Sequence, residues 1–259
     1  MADTTHVSTI RHNRFWEIDL IRTIAVAMMI TFHTLYLVNY FGIQYTGVPG
    51  PYHGLWWWVS IVIVSLFTFT AGISLTISHS KSMRISSFML RGLKIFGWGM
   101  VITLLTWIIA PDRYVRFGIL HFFGITFILA PFFLRFRFIN LILGVAVMAA
   151  GIYIWEHGVY VNSPWLLWLV PYGFATMDYW PLLPFFGLFL VGMFCGTILY
   201  PQGNRRFHIP DFNNPVISAL TLPGRHPLVI YLAQWPALIG ILLLLFPANV
   251  LPYFPPFPF

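Results

Sequence analysis

Residues 19–33 read DLIRTIAVAMMITFH, an acid, an arginine and a histidine set into an otherwise apolar run. An imidazole titrates near working pH and can act as a general base or carry an acyl group, whereas a guanidinium pairs naturally with phosphate. On an α-helix the step from Arg22 to His33 is three turns plus about 20° and advances about 16 Å, so both side chains share a face. Asp19, three residues before Arg22, falls on the same stripe. Ionisable groups at a helix centre in lipid cost roughly 2.5–3.5 kcal/mol each on insertion scales. A polar stripe of this kind is a functional candidate and should face the interior of a helix bundle.

The elements that hold the stripe are membrane helices. Of 259 residues, 59% are hydrophobic, 19% aromatic and 8% charged, against roughly 25% charged in a soluble domain. Apolar segments recur at about 17–39, 55–78, 88–110, 117–134, 138–155, 181–200 and 226–247, each near the ~20 residues that cross a bilayer. They lack the alternation of barrel strands, and only helices satisfy their own backbone in lipid. The expectation is an all-α, polytopic transmembrane bundle of about seven spans, one domain over 1–259. The run PWLLWLVPYGF within 156–180 is too short and proline-broken to cross, which makes it interfacial or re-entrant. The tail FPANVLPYFPPFPF either caps a pocket, packs against a second subunit in a homodimer, or rests in the interface.

The formal charge is +7, carried by 14 Lys and Arg against 7 Asp and Glu. Eleven of the basic residues fall on one side: Arg11, Arg14, Lys81, Arg84, Arg91, Lys94, Arg135, Arg137, Arg205, Arg206 and Arg225. The other side holds Arg113 and Arg116 with Asp112, Glu156 and Asp178. This asymmetry places the N-terminus in the cytoplasm and the C-terminus outside, and charges scattered over short loops argue against nucleic acid as a partner. The first span is too long for a secretory signal and no small-residue cleavage site follows it, so the chain reads as an uncleaved integral protein, expected in the plasma membrane of a prokaryote. The lone Cys195 lies in an apolar run, which excludes an intrachain disulfide and a multi-cysteine metal site; no metal is expected.

Asp-x-x-Arg followed by a histidine eleven residues after the arginine, in a first transmembrane helix, resembles the transmembrane acyltransferase superfamily, including acyltransferase-3 proteins with their Arg-x10-His motif. More of the chain resembles one branch, the heparan-alpha-glucosaminide N-acetyltransferase catalytic domain family. The matching stretches are EIDLIRTIAVAMMITFH (17–33), FTFTAGISL (67–75), RFGILHFFGI (116–125), MDYWPLLPFFGLFLVG (177–192) and GRHPLVIYLAQWP (224–236), in the family's order. Two positions depart from the family pattern: Thr23 stands where a glycine usually follows the arginine, and Ala233-Gln234 stands where a His-Gln pair is common.

The resemblance implies transfer of an acyl group, usually acetyl, from coenzyme A to a hydroxyl or amine of a sugar-like acceptor. Such chemistry needs a base or nucleophile, donors for the developing oxyanion, and cations for the donor phosphates. His33 is the first candidate for the base or acyl carrier, with His53 and His121 at similar depth. Asp178 could orient a histidine or hold an acceptor amine or hydroxyl. Arg22 with its partner Asp19, and the loop cations Arg84, Arg91 and Lys94 beside Lys81, are candidates for acetyl-CoA, bound from the cytoplasmic side. Gln234 and Asn39 are further polar contacts, and Trp56, Trp57, Trp58, Tyr179 and Trp180 could stack on a sugar or form an interfacial belt. Two rival readings remain open on the residues alone: a non-enzymatic carrier using the buried His, Arg and Asp as a substrate or proton path, and a haem held by His33 and His121.

Overall fold

The computed structural model describes residues 14–43, 54–81, 84–158, 166–170, 175–210 and 214–253. The helices are α1 (Trp16–Tyr40), α2 (Leu55–Ser80), α3 (Ile85–Ile109), α4 (Ile119–Phe133), α5 (Arg137–Glu156), α6 (Leu182–Leu199), α7 (Pro215–Arg225), α8 (Pro227–Leu245) and the short α9 (Pro247–Val250). Among the described residues no strand forms; a lone parallel bridge joins Phe117 and Tyr179.

Six helical elements among the described residues are long and apolar enough to cross a membrane. One of them, Ile119–Glu156, is 38 residues long and breaks at Leu134–Phe136, where a 3-10 turn and a φ of 34° at Arg137 redirect the chain. Its first arm, α4, runs parallel to α6, because Phe122 meets Phe185 and Phe127 meets Phe189. Its second arm, α5, runs antiparallel to α6, because Gly144 meets Gly187 and Gly151 meets Pro184. That element therefore passes twice, and the seven apolar segments read from the sequence correspond to α1–α6 and α8.

Two ends of the bundle can be told apart. At one end Glu17 accepts from Tyr200 Oη and from Arg205 Nε, both at 2.9 Å, and Lys81 Nζ sits 5.0 Å from the Phe15 ring. At the other, residues 166–170 and 175–180 form a cap: Met177 N–H donates to Arg113 O, Trp180 N–H to Phe117 O and Leu182 N–H to Trp168 O, at 2.9, 3.1 and 2.9 Å. As the prolines suggest, the described part of this region does not cross. The tail follows a similar logic. Val250 is buried against the end of α1, and the Tyr253 ring lies 5.2 Å from Tyr40, so the described part of the tail packs on its own chain.

α7 was not anticipated from the sequence. Proline at its first position and the Asn214 side chain, which accepts from Val216 N–H at 2.9 Å, start this helix. It folds back on α1 so closely that a Cβ on Gly224 would collide with the Asp19 carbonyl. Thr23, the departure from the family pattern, joins the two helices: its hydroxyl donates to Asp19 O at 3.0 Å and accepts from Gly224 N–H at 2.9 Å. α2 and α6 meet in the same manner, backbone against backbone at Gly72 and Gly192, the small-residue contact typical of helices in lipid.

Candidate active site

A cavity of about 570 Å³ runs between the two ends, lined at one extreme by Arg22, Arg91 and Arg225 and at the other by Thr176, Asp178 and Trp180. His33 lies along its wall. The helical face predicted for Arg22 and His33 is thus the face that α1 turns inward.

At the arginine end Arg22 is held from several directions. Its Nη2 donates to Ser74 Oγ at 2.8 Å and to Thr70 O at 3.3 Å, and its Nη1 stands 3.8 Å from Asp19. Asp19, 7% exposed, is shared with Arg225, whose Nε is 3.6 Å away and whose Nη2 donates to Thr221 Oγ1 at 2.8 Å. Arg91 lies over the Phe127 ring at 5.1 Å. Three cations against one carboxylate leave this end with an excess of about two positive charges, well placed for a polyanion. Arg225 escaped the sequence reading of the site, where it counted only toward topology. Arg84 and Lys94 do not line the cavity.

Around His33 the wall comes from α8. The Tyr231 ring lies 6.4 Å and the Trp235 ring 5.2 Å from the imidazole, and Phe32 is edge-on at 5.9 Å. Gln234 faces His33 from the same helix. Tyr231 reaches onward: its hydroxyl donates to Asp178 Oδ2 at 3.4 Å. Tyr231 was not singled out from the sequence, because a tyrosine in an apolar helix carries no signal beyond packing.

Asp178 has two tasks. Its Oδ2 accepts from Ile119 N–H at 2.8 Å, at the first position of α4, where the helix dipole favours an anion. It also faces the cavity. Burial pushes its carboxyl up to about 6, against the opposing pull of the Ile119 N–H and the Trp180 and Tyr231 side chains. The aromatic wall nearby comprises Trp57, Trp155, Tyr179 and Trp180, with Trp57 and Trp155 at 5.9 Å. Of the other aromatic candidates, Trp58 is 63% exposed and Trp56 packs against the Met29 cluster. Asn39 lies exposed, away from the cavity.

His121 is placed differently. Its Nδ1 accepts from Gly118 N–H at 3.2 Å, and its Nε2 lies 3.3 Å from Thr103 Oγ1, whose own hydrogen goes to Val115 O at 2.7 Å. Both ring nitrogens are thereby used in closing the start of α4, packed against Gly99 and outside the cavity lining. With its nitrogens so engaged, His121 is not available as a haem ligand opposite His33. His53 lies outside the described residues. Among the described residues no group of three His, Cys, Asp or Glu side chains could hold a metal ion.

Comparison with known proteins agrees with the resemblance read from the motifs. The family described as heparan-alpha-glucosaminide N-acetyltransferase, catalytic, matches residues 14–236. That span begins just before α1 and closes at Pro236, the last residue of GRHPLVIYLAQWP, so it includes every stretch that carried the resemblance. No curated protein and no solved structure matches the chain. The chain belongs to the heparan-alpha-glucosaminide N-acetyltransferase catalytic-domain family and is a multi-pass membrane acetyltransferase.

Proposed function

We propose that the protein transfers an acetyl group from acetyl-CoA, bound from the cytoplasmic side, to a hydroxyl or amine of a sugar-like acceptor that approaches from the opposite side. The observation that carries this reading is the cavity with arginines at one end and an acid among aromatic rings at the other, His33 between them. The nucleotide phosphates of the donor pair with Arg22, Arg225 and Arg91, and the pantetheine arm follows α1 for the ~16 Å that separates Arg22 from His33. The acceptor ring stacks on Trp57, Trp155 and Trp180 while Asp178 orients its reacting group. Arg84 and Lys94, placed away from the cavity wall, attract the polyanion toward the arginine end without touching it.

With both substrates seated, His33 acts as general base. It removes the proton from the acceptor hydroxyl or amine as that atom attacks the thioester carbonyl; the carbon–sulfur bond breaks, and the coenzyme A thiolate takes up the proton from the imidazolium. Seating the two substrates at opposite ends of one cavity favours direct transfer within a ternary complex over an acyl-histidine intermediate. The excess of Lys and Arg on the Glu17 end orients that end toward the cytoplasm.

The test is incubation of the purified protein with labelled acetyl-CoA, with and without an amino sugar. Label passing to the sugar, and none remaining on the protein when the sugar is omitted, is the expected result. A protein that neither binds nor consumes the donor, yet carries sugar across vesicle membranes, would instead be a carrier.

The pH dependence follows from Asp178. Its carboxyl, raised by burial to about 6, takes up a proton as the pH falls through that value and loses the charge that orients the acceptor. Transfer at saturating donor should therefore decline below about pH 6. In Asp178→Asn this limb should vanish, leaving a lower rate whose remaining pH dependence comes from His33; a limb unchanged in position would remove Asp178 from the reaction.

A further inference from the structure

We infer that Gln234 is a positioning residue, one that holds His33 in the tautomer with Nδ1–H, so that the lone pair of Nε2 is the one offered to the substrate. This rests on the reading of His33 as the base.

Four observations converge. Tyr231 and Trp235 both contact the His33 ring, and Gln234 lies between them on the stripe of α8 turned toward α1. Gln234 is 5% exposed and is absent from the cavity lining, whereas His33 lines it, so the amide stands behind the imidazole. His33 Nδ1, Gln234 Oε1 and Gln234 Nε2 are all buried without a hydrogen-bond partner among the described residues. Gln234 is nonetheless the side chain whose hydrogen-bonding group faces the His33 ring.

Each buried polar atom left unsatisfied costs roughly 1–3 kcal/mol, and a small rotation that joins Nδ1 to the amide relieves two of the three at once, Nδ1 and one amide atom. Two pairings are open to an amide. If Gln234 donated through Nε2, Nδ1 would be the acceptor and the cavity would face an Nε2–H, which cannot take a proton from the acceptor. If Oε1 accepts from Nδ1–H, the Nε2 lone pair is free, and the same bond persists when Nε2 becomes protonated during transfer. An amide can fill this role in the membrane interior where a carboxylate would be costly to bury. It also gives the Ala233-Gln234 sequence a use of its own: the glutamine supports the base of α1 and does not react.

The experiment compares wild type, Gln234→Leu, Gln234→Glu and His33→Ala, each in detergent and each checked for donor binding. Gln234→Leu, similar in size but unable to accept, should lower kcat by about tenfold to a hundredfold, the range seen for loss of a group that orients a histidine ligand, with KM for acetyl-CoA unchanged. Gln234→Glu, whose buried carboxyl in its neutral form keeps a carbonyl oxygen as acceptor, should restore most of the loss. NMR of protein carrying nitrogen-labelled histidine gives a readout independent of turnover: the signal absent from His33→Ala should have the pattern of an Nδ1–H tautomer in wild type and should shift toward the other tautomer in Gln234→Leu. Wild-type kcat in Gln234→Leu, or an Nε2–H signal in wild type, overturns the inference while leaving the base reading intact. Full activity in His33→Ala overturns the base reading itself.

Discussion

His33→Ala lowers kcat for acetyl transfer by about 10²–10⁴-fold, the usual contribution of a positioned general base, while the affinity for acetyl-CoA stays within about twofold of wild type. The separation of the two effects follows from distance. The groups proposed for the phosphates lie at the Arg22 end, some three helical turns from the imidazole, so removing the imidazole leaves them untouched. Stopped-assay rates and equilibrium binding of labelled donor measure the two quantities. If kcat survives, the proton is taken elsewhere, and Asp178, joined to the same wall through Tyr231, becomes the next base to examine. If donor affinity collapses as well, the thioester is held chiefly at His33 rather than through its phosphates.

Arg225→Gln shows the opposite split. Loss of one charge-assisted contact, worth about 1.5–3 kcal/mol, raises the dissociation constant for acetyl-CoA by roughly ten- to 150-fold with little change in kcat at saturation. Arg225 serves this test better than Arg22. Arg22 is tied to Ser74 and to the Thr70 carbonyl, so its removal disturbs the α1–α2 contact as well as the donor. Either single change leaves Asp19 with one of its two ion-pair partners, whereas removing both would strip a buried carboxylate of its close cations at a cost of several kcal/mol. Titration of labelled donor against the variant, repeated at rising salt, decides the matter. An unchanged dissociation constant would remove Arg225 from the donor site.

The spans were legible because about twenty consecutive apolar residues have few alternatives to a membrane helix, and each predicted segment lies within three residues of an observed helix boundary. The alignment of Arg22 with His33 was legible for a similar reason, since helical periodicity fixes which residues share a face. What periodicity cannot give is the neighbour toward which a face turns. His121 has the depth expected of a site histidine, yet the rotation of α4 aims it at Gly99 and Thr103, where it closes the start of its own helix. Arg225 reaches the cavity only because α7, eleven residues long, folds back on α1, a contact between positions some 200 residues apart. Asp178 was visible as an acid near the outer end, but the helix terminus it caps lies 59 residues earlier and no local pattern announces the pairing.

Between its arginine end and His33 the cavity is walled by Met29, Phe67, Ala71, Ile95 and Phe127. A water-filled passage of that length would be a hazard to any membrane that stores an ion gradient. The apolar middle works against that hazard, since water among these side chains finds few hydrogen-bonding partners and an ion entering it would lose its hydration. A long flexible ligand arm could lie in such a stretch under conditions that disfavour a continuous file of water or ions.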